Sequence, residues 1–181
     1  MELHEIELLK KRSMQRWVNT NLKLANEEWQ KGENVKLFGK RRGFIVARLF
    51  YEGINDYVLV DPKTNQVIST VSTWPSAGQR AQQVQVAATD PAYLGQNLVM
   101  LLYDTILVKD NKILRSGSQQ TKWGSSVWRR LIKNPNYTVW VQNPSGTVRG
   151  HVEVEDNEIV SDLPLYSSSH RYNMYAVKRR R

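Results

Sequence analysis

The sequence predicts a mixed α/β fold, one central sheet covered by helices, with a helix in front and an extended basic tail behind. Three observations point there. Residues 2–31 hold neither proline nor glycine and scatter apolar side chains among charges, as an amphipathic helix does. Short runs of β-branched and aromatic residues follow, separated by turn residues, as in an antiparallel meander. Between residues 83 and 131 the pattern becomes strand, tight turn, helix, strand, loop, helix, read from QVQVAATDPAYLGQNLVMLLYDTIL and KILRSGSQQTKWGSSVWRRL. Strands and helices mixed in this way form a sheet with helical cover.

The first helix is expected over residues 2–31, with Ile6, Leu9, Trp17, Leu24 and Trp29 as its apolar positions and Gly32 as its stop. Strands are expected at Gly43–Tyr51, Tyr57–Val60 and Val67–Val71, the last two joined by the turn Asp61-Pro62-Lys63-Thr64-Asn65. Trp74–Gly78 reads as a loop and Val84–Ala88 as a strand stopped by Asp90-Pro91. A helix is expected over Gly95–Val108, with Leu98, Leu101, Leu102 and Ile106 on one face. Ile113–Arg115 is a short strand, Ser125–Lys133 a helix closed by Asn134-Pro135, and Tyr137–Gln142 a strand. The turn Asn143-Pro144-Ser145-Gly146 leads into Thr147–Val154, which pairs back as a hairpin. Beyond Glu155 the pattern weakens into an extended tail. The implied division is a helical segment 1–34, a domain 35–154 and a basic tail 155–181.

At 181 residues, 40% apolar and 24% charged, the chain is long enough to bury a core and too apolar for disorder. No run approaches the roughly 18 apolar residues of a membrane span, so no membrane partner is expected. The N-terminal stretch is charged throughout, unlike a secretory signal. Without cysteine there is no disulfide, thiolate nucleophile or thiolate metal site, and synthesis inside the cell is the natural expectation. The three histidines, His4, His151 and His170, lack metal-ligand spacing, so no metal site is expected.

Lys and Arg outnumber Asp and Glu by 26 to 17, a net charge of +9. Such an excess favours nucleic acid or another polyanion, because bound cationic side chains release condensed counterions. The charge gathers at Lys10-Lys11-Arg12, Lys40-Arg41-Arg42, Arg129-Arg130 and Lys178-Arg179-Arg180-Arg181. Lys40, Arg41, Arg42, Lys178, Arg179, Arg180 and Arg181 are the polyanion-binding candidates, the last four as a mobile arm. Trp74, Trp123, Tyr172 and Tyr175 are candidate surface aromatics.

Two segments carry a family resemblance. Leu94-Gly95-Gln96-Asn97-Leu98-Val99 follows a strand and opens a helix, the place of the pattern [QR]-x-x-G-x-[GA]. Ser116, Gln120, Thr121, Gly124, Trp128 and Leu131 fit the pattern S-D-x-x-Q-[ST]-x-x-[GA]-x-x-[LIV]-W-x-x-L, with Gly117 replacing its aspartate. The element order and these segments resemble the acyl-CoA-binding half of the GNAT (N-acetyltransferase) superfamily, in the form common among bacteriophages. The resemblance implies a strand splayed from its parallel neighbour, with the CoA pyrophosphate held by backbone N–H groups of the following turn and by the helix N-terminus.

The positions implied for the cofactor are Gly95, Gln96, Asn97, Leu98 and Val99. Here the pattern is degenerate: Leu94 replaces Gln or Arg, Asn97 the first glycine and Val99 the second small residue. Asparagine tolerates the left-handed backbone, so the turn can persist without its glycine. A side chain at Val99 stands where phosphate would approach the backbone. Family enzymes often use a glutamate near the splayed strand as base and a tyrosine on the last helix as acid. This chain offers Gln83 and Gln85 on the strand and no tyrosine in Ser125–Lys133, while Tyr103 sits in a core-like setting and Tyr137 opens the next strand. No catalytic residue can be assigned. The resemblance therefore implies a non-catalytic phage protein, associated with the virion or with DNA and needing no cofactor, in the host cytoplasm or packaged in the virion. The alternatives are an acetyl-CoA-dependent N-acyltransferase acting on an amine, and an inhibitor of a host protein.

Overall fold

A computed structural model describes residues 3–76, 81–117, 122–163, 165 and 172–179, with side chains from residue 12 onward except 122 and 123. α1 spans Leu3–Lys31. It ends at Gly32, whose φ of +68° turns the chain out of the helix while its N–H donates to the Trp29 carbonyl at 3.1 Å. The buried stripe is Val18, Leu22, Ala25 and Trp29, at helical spacing, packed on Ala47, Leu49, Val58, Val60 and Val67. Trp17 and Leu24, expected in that stripe, are about half exposed (46% and 49%). Their spacing to Trp29 carries them round the helix, away from the sheet.

β1 (Val35–Arg41), β2 (Phe44–Tyr51), β3 (Ile54–Asp61) and β4 (Gln66–Pro75) follow. β1 has no counterpart among the expected strands. It is an edge strand, mostly exposed, and bulges between Leu37 and Gly39, so its sequence lacks clean alternation. The β1–β2 turn places Arg42 and Gly43 at φ +51° and +86°, and the β2–β3 turn places Glu52 and Gly53 at +49° and +78°. Two consecutive left-handed residues match the right-handed twist of the flanking strands. Trp74 and Pro75, expected in a loop, complete β4, since proline is tolerated at a strand end. Ala77 and Gly78 lie outside the described residues.

β5 (Ala81–Thr89) leads through a 3-10 turn, Pro91–Tyr93, to α2 (Leu98–Asp104) and a π-helical turn, Thr105–Lys109. The helix expected over Gly95–Val108 therefore begins three residues late and widens before it ends. Gly95 and Asn97 have φ of +82° and +57°, which a right-handed helix excludes. At the other end the Asp110 N–H reaches back five residues to the Thr105 carbonyl at 2.9 Å. β6 (Ile113–Arg115), α3 (Lys122–Lys133), β7 (Tyr137–Gln142), β8 (Arg149–Gly150), β9 (Val152–Glu155), β10 (Glu158–Ser161) and β11 (Asn173–Lys178) complete the chain.

The fold is mixed α/β with a large, mostly antiparallel sheet. Its hydrogen-bonded order is β1-β2-β3-β4-β5-β6-β11-β7-β8, and β9 pairs with β10 as a separate ribbon. The described parallel ladder of β5 on β6 joins Ala81 to Ile113, Gln82 to Leu114 and Gln83 to Arg115, and β5 continues to Thr89. The chain forms two compact units: Met1–Ser72 with Val86–Leu102, and Thr73–Gln85 with Tyr103–Arg181. In the first, α1 covers one face of β2 and β3. In the second, α3 packs on β7, β9 and β10.

Two expectations for the C-terminal third are corrected. The Thr147–Val154 hairpin is only two residues deep, Gln142 opposite Arg149 and Val141 opposite Gly150, and Val152–Glu155 turns away to pair with β10. Gly150 permits this: a Cβ there would lie 2.8 Å from Leu163 Cγ and 2.9 Å from Val141 Cγ2. The extended tail is also corrected, since residues 155–181 contain β10 and β11, and β11 is an interior strand between β6 and β7. Asn173, Met174, Tyr175 and Ala176 are all buried, so the strand has no polar face and no alternation by which to be recognised.

Candidate functional site

The turn that would cradle phosphate is anchored within the first unit. Asp90 ends β5 with its N–H on the Ile68 carbonyl (2.8 Å), and its carboxylate accepts the Ala92 N–H (2.8 Å). Tyr93 sets its ring edge against Phe44 at 5.9 Å, and its hydroxyl donates to Asp61 Oδ2 at 3.0 Å. From the β1–β2 turn, the Arg42 guanidinium donates to the Gln96 carbonyl at 3.0 Å. Leu98 then buries its side chain and starts α2.

This arrangement departs from the expected phosphate cradle at Asn97 and Val99. Gly95 keeps its left-handed φ, and a Cβ there would meet no other part of the chain within 4 Å, so within the fold the glycine serves backbone conformation. Asn97 takes the left-handed conformation without being glycine, as expected, and Val99 adds a half-buried branched side chain.

Acid–base equipment is sparse. β5 carries the amides Gln82, Gln83 and Gln85 and the hydroxyl of Thr89, with no carboxylate or histidine. Tyr103 is fully buried in the core, and burial raises its phenol above the usual range. The Tyr137 hydroxyl is committed to Asp104 Oδ1 at 2.6 Å. Asp61 is held below the ordinary carboxylate range, chiefly by the Lys63 N–H and further by the Tyr93 hydroxyl. Both hydrogen bonds hold the turns they belong to. His151 lies 3.6 Å from Glu153 at an exposed position, and no cluster of metal ligands occurs among the described residues.

One buried carboxyl stands apart. Asp56 is 2% exposed, accepts the Tyr51 hydroxyl, and has its Oδ1 without a partner. Burial raises its pKa, against the opposing hydrogen bonds from Ser72 and Tyr51. A carboxyl that holds its proton more tightly folded than unfolded contributes stability that falls as pH rises from the ordinary value through the raised one. Asp56→Asn, which cannot ionise, should match or exceed the parent's stability at pH 8 and flatten that part of the pH profile. Urea denaturation between pH 4 and 8 measures this, and an unchanged slope would assign the dependence to another group.

The basic candidates fall in both units. Lys40 and Arg42 are exposed and Arg41 is half-buried, at the β1–β2 turn of the first unit. Lys178 is the last residue of β11, paired with Tyr137, and the Arg179 N–H donates to the Asn136 carbonyl at 2.8 Å. The expected mobile arm is therefore sheet through Lys178 and hydrogen-bonded through Arg179, while Arg180 and Arg181 lie outside the described residues. Of the surface aromatics, Trp74 is exposed, Tyr172 half-buried, and Tyr175 buried against Trp140; the Trp123 side chain lies outside the description.

Sequence reasoning missed a shallow concavity of about 390 Å³ in the second unit, lined by Thr138, Trp140, Arg149, Val177, Lys178 and Arg179. Alternation in Tyr137–Gln142 already places Thr138, Trp140 and Gln142 on one face. Bringing Arg149 to them requires the register of β8, and bringing Val177 requires that of β11.

No family model and no curated protein sequence matches the chain. Among solved structures it is similar to a GNAT-family acetyltransferase from Staphylococcus aureus Mu50 (10% identity over 70% of this chain and 68% of that one, TM-score 0.37). It is also similar to an IAA acetyltransferase from Bacillus cereus (8% identity, 71% and 79% covered, TM-score 0.40). A third is assigned to the GNAT acetyltransferases of Bacteroides thetaiotaomicron (10% identity, 71% and 64% covered, TM-score 0.38).

Proposed function

We propose that this chain is a non-catalytic, GNAT-like binding protein of bacteriophage type, associated with nucleic acid as a virion or DNA component. The observation that carries the reading is the turn at residues 94–99. It keeps its left-handed backbone at Gly95 and Asn97, yet Asn97 and Val99 carry side chains where a phosphate cradle needs bare backbone. The absence of a titratable side chain on β5 favours binding over acyl transfer. The net charge of +9 favours a polyanionic partner.

Two measurements test the two halves. Acetyl-CoA should bind with a Kd above about 100 μM by calorimetry, since the backbone contacts that anchor pyrophosphate are obstructed. Low-micromolar binding would instead put acetyl-CoA-dependent N-acyl transfer to an amine first, and Val99→Gly should then tighten it further. Duplex DNA should bind with an affinity that falls linearly on a log–log salt plot and with slight sequence preference. A flat salt response sinks the nucleic-acid half. The arm is best tested by neutralising Lys178 and Arg179 and not by deleting them, because deletion would also remove the last rung of β11.

A further inference from the structure

We propose that the concavity formed by β7, β8 and β11 is a phosphate site, in which Arg149, with Arg179, grips a phosphodiester of the nucleic-acid backbone. The proposal rests on the nucleic-acid reading for the source of the phosphate; the site itself is argued from its own geometry.

Pairing brings the parts together. Tyr175 lies opposite Trp140, and Val177 opposite Thr138, across β11 and β7. Arg149 lies opposite Gln142 across β7 and β8. Gln142 is buried, and its Oε1 accepts two hydrogen bonds, from Trp140 Nε1 at 3.0 Å and from Arg149 Nε at 3.1 Å. The Arg149 guanidinium lies over the Trp140 ring at 5.0 Å, and the ring is nearly parallel to that of Tyr175, at 5.7 Å and 16°. One buried amide thus orients both the indole and the cation.

That support uses the Nε and one face of the guanidinium. No described group accepts from Nη1 or Nη2, the pair whose parallel N–H bonds match two oxygens of a phosphate. Arg149 is exposed and forms no ion pair with any described carboxylate; the same holds for Arg179. The lining contains no acid. Holding an arginine fork still at a surface costs side-chain entropy, and gathering like charges costs Coulomb energy. A bound dianion or diester offsets both. The indole holds Arg149 in place and so is not an open platform for a base, and the concavity is shallow, which suits a backbone phosphate running past better than an enclosed nucleotide.

The test is fluorescence anisotropy of a labelled duplex of about 20 base pairs over a salt series, with folding of each variant checked by circular dichroism. Arg149→Ala should lower the log–log salt slope by about one and weaken binding about tenfold. Arg149→Lys should recover the slope and leave much of the affinity lost, since an ammonium lacks the planar fork. Lys63→Ala, a cation removed from an exposed turn of the first unit, should change neither. An equal loss in Lys63→Ala would mean diffuse charge and overturn the site. Parent binding with an unchanged slope in Arg149→Ala would overturn the site and leave the nucleic-acid reading standing, whereas no binding by the parent would remove that reading itself. Calorimetry with inorganic phosphate separates the sources: micromolar binding abolished by Arg149→Ala would assign the site to free phosphate and overturn the backbone assignment.

Discussion

A chain ending at residue 171 should fail to fold its second unit. β11 supplies six cross-strand pairs to β7 and two to β6, so its removal leaves the facing edges of both strands without partners. It also takes away the fully buried Met174 and Ala176, the buried Tyr175, and Asn173, whose Nδ2 donates to the Ser116 carbonyl at 3.1 Å. Ser116 itself bonds back to Met174 through both its N–H and its hydroxyl oxygen. Emptying even one buried methionine site costs about 2–5 kcal/mol, and unpaired buried backbone adds to it, against a total stability of about 5–15 kcal/mol for a domain. The truncated protein should be recovered aggregated, or with strand signal lost in circular dichroism. A chain ending at Arg179 retains every described rung and is the control. If the 171-residue form unfolded at the same urea concentration as the control, the interior placement of β11 would be wrong.

Trp128→Ala should be the most damaging single substitution in α3. Trp128 is 2% exposed, and Val127 and Leu131 bury beside it where the helix meets β7, β9 and β10. Truncating a buried tryptophan to alanine removes its transfer energy and leaves a cavity, together about 3–5 kcal/mol. Trp128→Phe keeps most of the volume and should cost about 1–2 kcal/mol, scaled from ordinary core repacking. Urea denaturation followed by circular dichroism measures both. A loss below about 1 kcal/mol for the alanine variant would show that the site is not packed as described.

Local chemistry was sufficient where turn residues bracket a run of strand formers. Phe44–Tyr51 and Tyr137–Gln142 announce themselves by β-branched and aromatic residues between turn signals, and both are strands. Asp61 to Asn65 is a turn, because the Asp61 carboxylate takes the Lys63 N–H two residues on, a bond any Asp-Pro-x pair can form locally. The left-handed backbone at Asn97 was equally legible, since it follows from what asparagine tolerates.

What the chain concealed depends on partners distant in sequence. Residues 173–176 are buried on both faces, in a strand whose paired partners lie 31 to 41 residues away in β7 and 60 and 62 away in β6, so the segment has no period and looked like tail. Val35–Arg41 pairs along one edge only and bulges at its centre, so its solvent-exposed lysines and glycine hid it. Leu98–Asp104 was placed too early, because apolar spacing marks a buried face but not where left-handed residues forbid the helix to begin. The fork of Arg149 over Trp140 was invisible for the same reason as β11: one alternates along β7, the other enters by a two-residue ladder, and only the register of the folded sheet sets them 5.0 Å apart.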